Sequence, residues 1–381
     1  MTAALWEFAF VLPNLVLPSD GDDTNPGAFP HGVSIAPDFF TIFPGDHPTV
    51  LALRSHSTVV EQILSSFVNE YGKPYHPAVM LARTDVPESV RNDLSAVVAF
   101  RNAIAMSVVL RGRAALMTGG GSMSVTWSDS FDLHPVKLGG HGRMVLQSPA
   151  LLSLVSPTAK LQLTHSPYVN LEGRRLWPDH YLIWSLGRAW SRRFAPGSRS
   201  DAFGNRLFRS LEAAYQACAV GAKNEASLHE YGTQIALWVS ACEILSWPEK
   251  KRANLPAVLD LLARYSGRDQ TTRKRFRSKV SGKSERLSAP QRAYTYLYNA
   301  RNEFLHGNPV SVSTMMTRSR KQPAVGLPRI AALVYRTALV SYLSRRYSTE
   351  IPVRQLAQRT IEMFDHSAFE EGFAEAFGYA L

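Results

Sequence analysis

The spacing of hydrophobic and polar residues divides the chain into two parts of different character. In the first part, short runs rich in β-branched and aromatic residues occur at 5–12, 34–43, 49–53 and 78–82, separated by turns rich in Gly, Pro and Asp. Runs bounded in this way predict β-strands. Together with the helices described next, they predict a mixed α/β domain over residues 1–194.

Three segments of this first part have apolar residues at helical spacing. They are 57–71, 86–116 and 178–194. Apolar residues that recur at three- and four-residue intervals place one face of a helix against a core. Between about 117 and 175, frequent Gly and Pro interrupt further β-like runs, which predicts a second strand-rich region.

From residue 200 onward the apolar period is helical almost throughout. The segment A-P-G-S-R-S-D at 195–201 predicts a linker, so we place a domain boundary there. The helices predicted beyond it are 203–221, 228–246, 255–266, 288–306 and 327–347, followed by an amphipathic segment at 353–376. We therefore expect an α+β protein, with an all-α bundle at 200–350 and a helical extension at 351–381.

Composition and cysteine content narrow the class of protein. Hydrophobic residues make up 45% of the 381 residues, as in an ordinary folded chain. No run of eighteen uninterrupted apolar residues is present, so we expect a cytoplasmic protein without a membrane span. Cys218 and Cys242 have no cysteine or histidine companion at ligand spacing. They predict neither a disulfide framework nor a metal site, and we expect no cofactor.

The charge balance is basic, with 42 Lys and Arg against 31 Asp and Glu. A basic chain favours polyanions, because neutralising phosphates releases counterions. The densest positive run lies just before the fourth helix of the second part and includes Arg273, Lys274, Arg275, Arg277 and Lys279. Such a run is either a solvated loop or a place where single-stranded RNA is held.

A polar motif, Y-N-A-R-N-E-F-L-H-G-N-P, ends this fourth helix. Gly307 and Pro309 terminate the helix, so Arg301, Asn302 and His306 lie in its last turns. Asn302 and His306 are four residues apart on one face, where the amide can hold an imidazole nitrogen. Arg301 lies about 140° around the helix from His306. The two meet only through a loosened last turn or across a two-fold axis with a second subunit.

These residue types suit a reaction that needs neither a metal nor a covalent enzyme intermediate. In RNA transesterification the 2′-OH attacks the adjacent phosphorus and gives a cyclic phosphate and a free 5′-OH. His306 would act as general acid or base. Arg301 would stabilise the charge on the phosphorane oxygens, and Asn302 would orient His306 or the phosphate.

The motif resembles the signature of the HEPN superfamily of ribonucleases and nucleotide-binding domains, an Arg followed four to six residues later by His. Residues 235–247, ending in A-C-E-I-L-S-W, are similar to a helix of the Apea-like HEPN branch, and residues 327–343 are similar to its closing helix. The resemblance covers about the last two fifths of the chain. It implies a homodimer with facing motif helices, endoribonuclease activity, and a toxin-like role or one in bacterial anti-phage defence.

Two further residues belong to this hypothesis. Glu243 occupies the acidic position of the A-x-E-x-L pattern, where it forms a salt bridge to Arg301 or an ion pair elsewhere. Tyr298 is available for base stacking. The N-terminal part would then sense a trigger, as a regulatory domain.

Two alternatives to the enzyme stay open. A histidine before a glycine often caps the last carbonyls of a helix, and an arginine in the last turn compensates the helix dipole. The domain would then be a non-catalytic RNA-binding or dimerisation module. A second R-N pair, Arg101 and Asn102, has Met106 at the histidine position and is interpreted as structural.

Overall fold

The chain has a mixed α+β fold in which helices predominate. In this computed structural model it divides into two compact units, the first formed by 1–104, 128–177 and 186–199, and the second by 105–127, 178–185 and 200–381. The chain passes from the first unit to the second for the last time between residues 199 and 200. This point lies within the segment 195–201 that was predicted as a linker. The structure describes residues 5–15, 17, 32–68, 71–117, 128–138, 144–147, 152–154, 178–219, 227–247, 254–265, 274–280, 282–317, 324–347 and 369–378.

A four-stranded antiparallel sheet forms the centre of the first unit. Its strands are β1 (Trp6–Leu12), β2 (Val33–Ala36), β3 (Phe40–Phe43) and β4 (Ala78–Arg83), in the spatial order β1-β4-β3-β2. The strands predicted at 5–12 and 78–82 are confirmed. The run at 34–43 forms two strands, because residues 37–39 make the turn between β2 and β3.

The strand predicted at 49–53 is wrong, since these residues lie in helix α1 (Pro48–His56). Pro48 is suited to the first helical turn, and His47 caps the helix by accepting a hydrogen bond from the Thr49 backbone N–H at 3.2 Å. Helix α2 (Thr58–Ser65) follows and is shorter than predicted.

Among the described residues before 200, the further elements are three α-helices, a short 3-10 helix (Ser128–Phe131) and a small sheet. The helices are α3 (Glu88–Arg91), α4 (Leu94–Met117) and α5 (His180–Phe194). The small antiparallel sheet contains β5 (Val136–Leu138), β6 (Met144–Gln147) and β7 (Leu152–Leu154). Most of the remaining region predicted as strand-rich lies outside the described residues.

Among the described helices, α4 alone is long and apolar enough to cross a membrane by length and composition. Of the apolar stretch within Leu94–Ala115, 78% is buried inside the fold. Helices that are apolar on all sides occur both in the cores of large proteins and in membrane spans. Cytoplasmic location stays a prediction.

The helices of the second unit follow the sequence pattern closely. They are α6 (Ala202–Ala219), α7 (Leu228–Ser246), α8 (Leu255–Ala263), α9 (Ala289–Leu305), α10 (Leu327–Leu343) and α11, which spans 369–377. The rest of the segment predicted at 353–376 lies outside the described residues. Every residue of α10 except Pro328 and Arg329 is buried, so this helix is the core of the unit.

The expectation of an all-α second domain is wrong, because its basic run contains a β-hairpin. Strand β8 (Phe276–Val280) pairs antiparallel with β9 (Lys283–Leu287). Gly282 adopts a φ of 82° in the turn, a conformation that glycine provides at little cost. Phe276 and Val280 are four residues apart in β8, and Leu287 pairs with Phe276, so the three apolar side chains share one face of the hairpin.

Candidate active site

Helix α9 places the motif at its C-terminal end, and both of its ends are defined by the sequence. At its start, the Gln291 side chain accepts a hydrogen bond from the Ser288 backbone N–H at 2.9 Å, as in a capping box. At its end, Gly307 has a φ of 71°. The Asn308 N–H then bonds to the Glu303 carbonyl at 3.1 Å, which is the long bond of a Schellman cap. The helix therefore stops immediately after His306.

Close packing of α7 against α9 holds the motif in place. A Cβ added at Gly232 of α7 would lie 2.3 Å from the Phe304 ring, so only glycine permits this approach. The His229 ring lies 5.2 Å from the same phenylalanine ring. The two helices run antiparallel here, because residues near the start of α7 meet residues near the end of α9.

Arg301 is held by three neighbours. One of its terminal nitrogens lies 2.9 Å from a Glu243 carboxylate oxygen, and the other donates to Asn302 Oδ1 at 3.0 Å. The guanidinium carbon also lies 5.6 Å from the centre of the Tyr298 ring, at cation–π distance. The salt bridge between Glu243 and Arg301, one of two options from the sequence, is present.

The electrostatics of this ion pair are governed by burial. The side chains of Glu243 and Arg301 are 16% and 21% exposed. Burial raises the pKa of Glu243 above its ordinary value, and the positive charge of Arg301 offsets part of that rise. Because removal of a carboxylate from water costs free energy, the pair contributes more to the position of Arg301 than to net stability.

Tyr294, which was not among the residues predicted for the site, lies buried in α9 beside Glu243 and Tyr298. The hydroxyl of this buried residue has no hydrogen-bond partner among the described residues. Burial raises the pKa of Tyr294 well above its ordinary value, and the nearby Cys242 and Glu243 raise it further. The signal was available, since Tyr294, Tyr298 and Arg301 are spaced four and three residues apart on one helical stripe.

His306 is placed differently from its expected partners. It is exposed at the C-cap, and its backbone N–H donates to the Asn302 carbonyl at 3.0 Å. Among the described residues its imidazole makes no hydrogen bond, and the Asn302 side-chain oxygen accepts from Arg301 instead. The predicted contact between the Asn302 amide and the His306 ring is therefore absent from the single chain.

Arg301 and His306 are not brought together within one chain. Their Cα atoms are separated by about 7.5 Å along the helix axis, at 1.5 Å per residue. Helical side chains lean toward the N-terminus of their helix, and the Arg301 side chain extends over Tyr298 to reach Glu243. Its guanidinium therefore points away from His306.

Of the residues predicted to bind RNA, Arg277 and Lys279 lie in strand β8, and Lys274 and Arg275 come just before it. Lys274, Arg275 and Arg277 are exposed. Arg275 donates to the Gln291 side-chain oxygen at 3.2 Å, which ties the start of the basic run to the start of α9. Lys279 lies opposite Ser284 in the strand ladder, and Arg273 lies outside the described residues.

Within the part of the chain that the structure describes, no group of three or more His, Cys, Asp or Glu residues could hold a metal ion. Cys218 and Cys242 are buried free thiols. Comparison with protein families, curated proteins and solved structures gives no match. The function must therefore be argued from the site itself.

Proposed function

We propose that this protein is a metal-independent endoribonuclease whose reaction is carried out at the end of α9. The observation that carries the proposal is the presence of an arginine held by Glu243 and a solvent-exposed histidine near the same end of α9. A guanidinium offers a fork of donors to phosphate oxygens, and histidine is the side chain used most often for general acid–base catalysis. The resemblance to the HEPN superfamily implies the same reaction.

The reaction transfers a phosphoryl group of the RNA strand from the 5′-oxygen of one nucleotide to the 2′-oxygen of the nucleotide before it. One base removes the proton from the 2′-OH, the 2′-oxygen bonds to the adjacent phosphorus, and the bond to the 5′-oxygen breaks. An acid gives a proton to that leaving oxygen, so the products are a 2′,3′-cyclic phosphate and a 5′-OH. His306 is the acid or the base, since it can move a proton at a solvent-facing position. Arg301 stabilises the additional negative charge of the phosphorane.

A second copy of the chain completes this site. One chain directs the Arg301 guanidinium toward Glu243 and away from its own His306. Two copies related by a two-fold axis bring the same surface of each together, so His306 of one copy can approach Arg301 of the other. The RNA would then be cut in the cleft between two motif helices.

The biological setting follows from the resemblance alone. Relatives of the Apea-like branch are implicated in defence against phage, where cutting host or viral RNA halts infection. The first unit would recognise the trigger that releases the activity. Toxicity of the parent protein on expression in bacteria, and its loss in His306→Ala, would support this role.

One observation favours a non-catalytic alternative. Two terminal nitrogens of Arg301 already have partners in Glu243 and Asn302, and these contacts also suit an arginine that holds α7 against α9. In that case the module would bind RNA or another copy without cutting. The assay below distinguishes the two functions, because the alternative predicts RNA binding without cleavage.

The test is incubation of purified protein with end-labelled single-stranded RNA in excess EDTA, followed by analysis of the product ends. Cyclic-phosphate and 5′-OH ends, lost in both His306→Ala and Arg301→Ala, are the expected result. His56→Ala is the matched control, since His56 is an exposed histidine of the first unit. RNA that is bound but stays intact, with and without metal, would contradict the proposal.

A further inference from the structure

The β8–β9 hairpin has two faces of opposite character. In its register, Phe276 lies opposite Leu287 and Val280 opposite Lys283, while Arg277 lies opposite Arg286. Because side chains alternate along a strand, the Phe276 pair and the Arg277 pair lie on opposite faces. The sequence shows only a run of basic residues, whereas the strand pairing shows which of them lie on the same face of the hairpin.

The apolar face anchors the hairpin to the rest of the unit. Val280 and Leu287 are buried. The Arg292 guanidinium of α9 lies 5.1 Å from the Phe276 ring centre and 5.3 Å from that of Phe377 in α11. The two phenylalanine rings are 5.6 Å apart. One arginine thus joins the hairpin, α9 and α11 through cation–π contacts, which fixes the orientation of the hairpin.

The outer face places two arginines directly across from each other. Arg277 and Arg286 are both exposed, and neither has an acidic partner among the described residues. Glu285 of the same strand pairs with Ser278 and therefore lies on the other face. Like charges directly opposite each other in an antiparallel pair destabilise it. An anion bound between them would remove that repulsion.

We infer that the Arg277–Arg286 pair binds the phosphate backbone of single-stranded RNA, and this role rests on the proposed ribonuclease function. Neighbouring guanidinium groups on a fixed surface offer two forks of donors to phosphate oxygens. Arg286 belongs to the same basic stretch of the sequence, and the strand register adds that it lies directly opposite Arg277. It carries no base-reading group, so it binds without regard to sequence.

The hairpin and the motif lie near opposite ends of α9. Arg292, which anchors the hairpin, precedes His306 by fourteen residues, or about 21 Å along the helix. A strand with a rise of about 3.4 Å per nucleotide needs roughly six nucleotides to cover that distance. Only an RNA of about six nucleotides or more can therefore contact the hairpin and the motif at the same time.

The experiment measures affinity for a labelled 16-nucleotide single-stranded RNA across a salt series, with His306→Ala in every sample so that the RNA stays intact. Removing two phosphate contacts in Arg277→Gln/Arg286→Gln should lower the slope of log affinity against log salt by about 1.4, at about 0.7 per contact for single strands. The control Arg199→Gln/Arg264→Gln removes the same charge from exposed positions elsewhere and should bind as the parent does.

A second variant separates lost binding from lost folding. Arg286→Glu places a carboxylate opposite Arg277, which replaces a repulsive cross-strand pair with an attractive one. We expect a melting temperature at or above that of the parent, together with weaker RNA binding.

The outcomes also distinguish this inference from the proposed function. Unchanged affinity and salt slope in the double glutamine variant, or no RNA binding by the parent, would overturn the hairpin site. If the parent cuts RNA and the hairpin variants bind normally, the ribonuclease stands and the hairpin site fails. If binding depends on the hairpin but the parent never cuts, the hairpin site stands and the ribonuclease fails.

Discussion

Two Arg-Asn pairs in this chain have opposite environments. Arg101 and Asn102 of α4 are 6% and 1% exposed, and Arg101 donates to the Phe131 carbonyl at 3.2 Å. Arg301 and Asn302 of α9 are partly exposed, and Arg301 contacts a carboxylate. The same two residues thus serve a core helix in one place and a candidate site in the other.

The fifth residue after each arginine explains the difference. After Arg101 it is Met106, which is fully buried in a helix that continues to Met117. After Arg301 it is His306, which is exposed at the residue where α9 ends. We therefore expect an Arg-Asn pair to take part in a reaction only where the helix ends nearby and exposes the polar side chains to solvent.

The largest expected effect tests this difference directly. His306→Ala should lower RNA cleavage by roughly 10²–10⁴-fold, as for loss of a general acid or base, and change the unfolding free energy by less than about 0.5 kcal/mol. Met106→Ala should leave RNA cleavage unchanged at a temperature where it is folded. It should lower the unfolding free energy, because truncating a buried methionine costs about 2–5 kcal/mol. Urea unfolding and the EDTA cleavage assay measure both quantities. A stable Met106→Ala protein, or a His306→Ala protein that unfolds more readily, would remove the distinction.

The next effect concerns the two arginines and their partners. Arg301→Ala leaves Glu243 without its cation, at a cost of about 1–3 kcal/mol near neutral pH. Arg101→Ala should cost a similar amount, because it leaves the Phe131 carbonyl without its donor. The two losses differ in their dependence on pH, since Glu243 is mostly buried whereas Asp132, the carboxylate 3.7 Å from Arg101, is exposed to solvent.

The sign of the pH effect follows from the raised pKa of Glu243. Its folded-state pKa lies above its ordinary value of 4.5, so the folded chain binds more protons than the unfolded chain between those two values. Stability therefore decreases as pH rises through that window and recovers as pH falls. Arg301→Ala should raise the pKa of Glu243 further and widen the window. Unfolding measured from pH 4 to 8 should show a steeper slope than in the parent or in Arg101→Ala.

Helices were predicted well where several local signals agree. The range 228–246 predicted for α7 is the range observed, because Ser227 and Glu230 form a capping box at its start and its apolar spacing covers several turns. Residues 49–53 were assigned wrongly, since a short run of four apolar residues after a threonine fits a strand and a helix equally well. Pro48 directly before this run favours a helix, because proline suits the first turn of a helix.

The site was predictable in its residues but not in its contacts. Glu243 required a partner because a lone carboxylate on an apolar helix is costly to bury. The Asn302–His306 contact was inferred from helical spacing, which does not apply once a residue is the cap. His306 has a φ of −89° and a ψ of 8°, outside the regular helix, and Arg301 competes for the Asn302 oxygen. Such competition depends on tertiary position and has no local signal.

The smallest expected effect compares one glycine near each motif. Gly307→Ala should lower the unfolding free energy by about 1–2 kcal/mol, because a side chain at a φ of 71° strains the backbone. Gly112 lies inside α4, and a Cβ added there meets no atom within 4 Å. Gly112→Ala should therefore stabilise the protein by about 0.5–1 kcal/mol, since alanine favours a helix interior.

The glycine pair also tests whether the end of α9 positions His306 for the proposed reaction. If Gly307 serves only to end the helix, Gly307→Ala should change stability without changing cleavage. If the left-handed residue sets the direction of His306, cleavage should fall at a protein concentration and temperature where the variant remains folded. Gly307→Asn is the informative companion, because asparagine adopts the left-handed conformation at lower cost than alanine. Recovery of both stability and cleavage in Gly307→Asn would assign the effect to backbone conformation, whereas equal losses in both variants would mean that the added side chain itself obstructs the site.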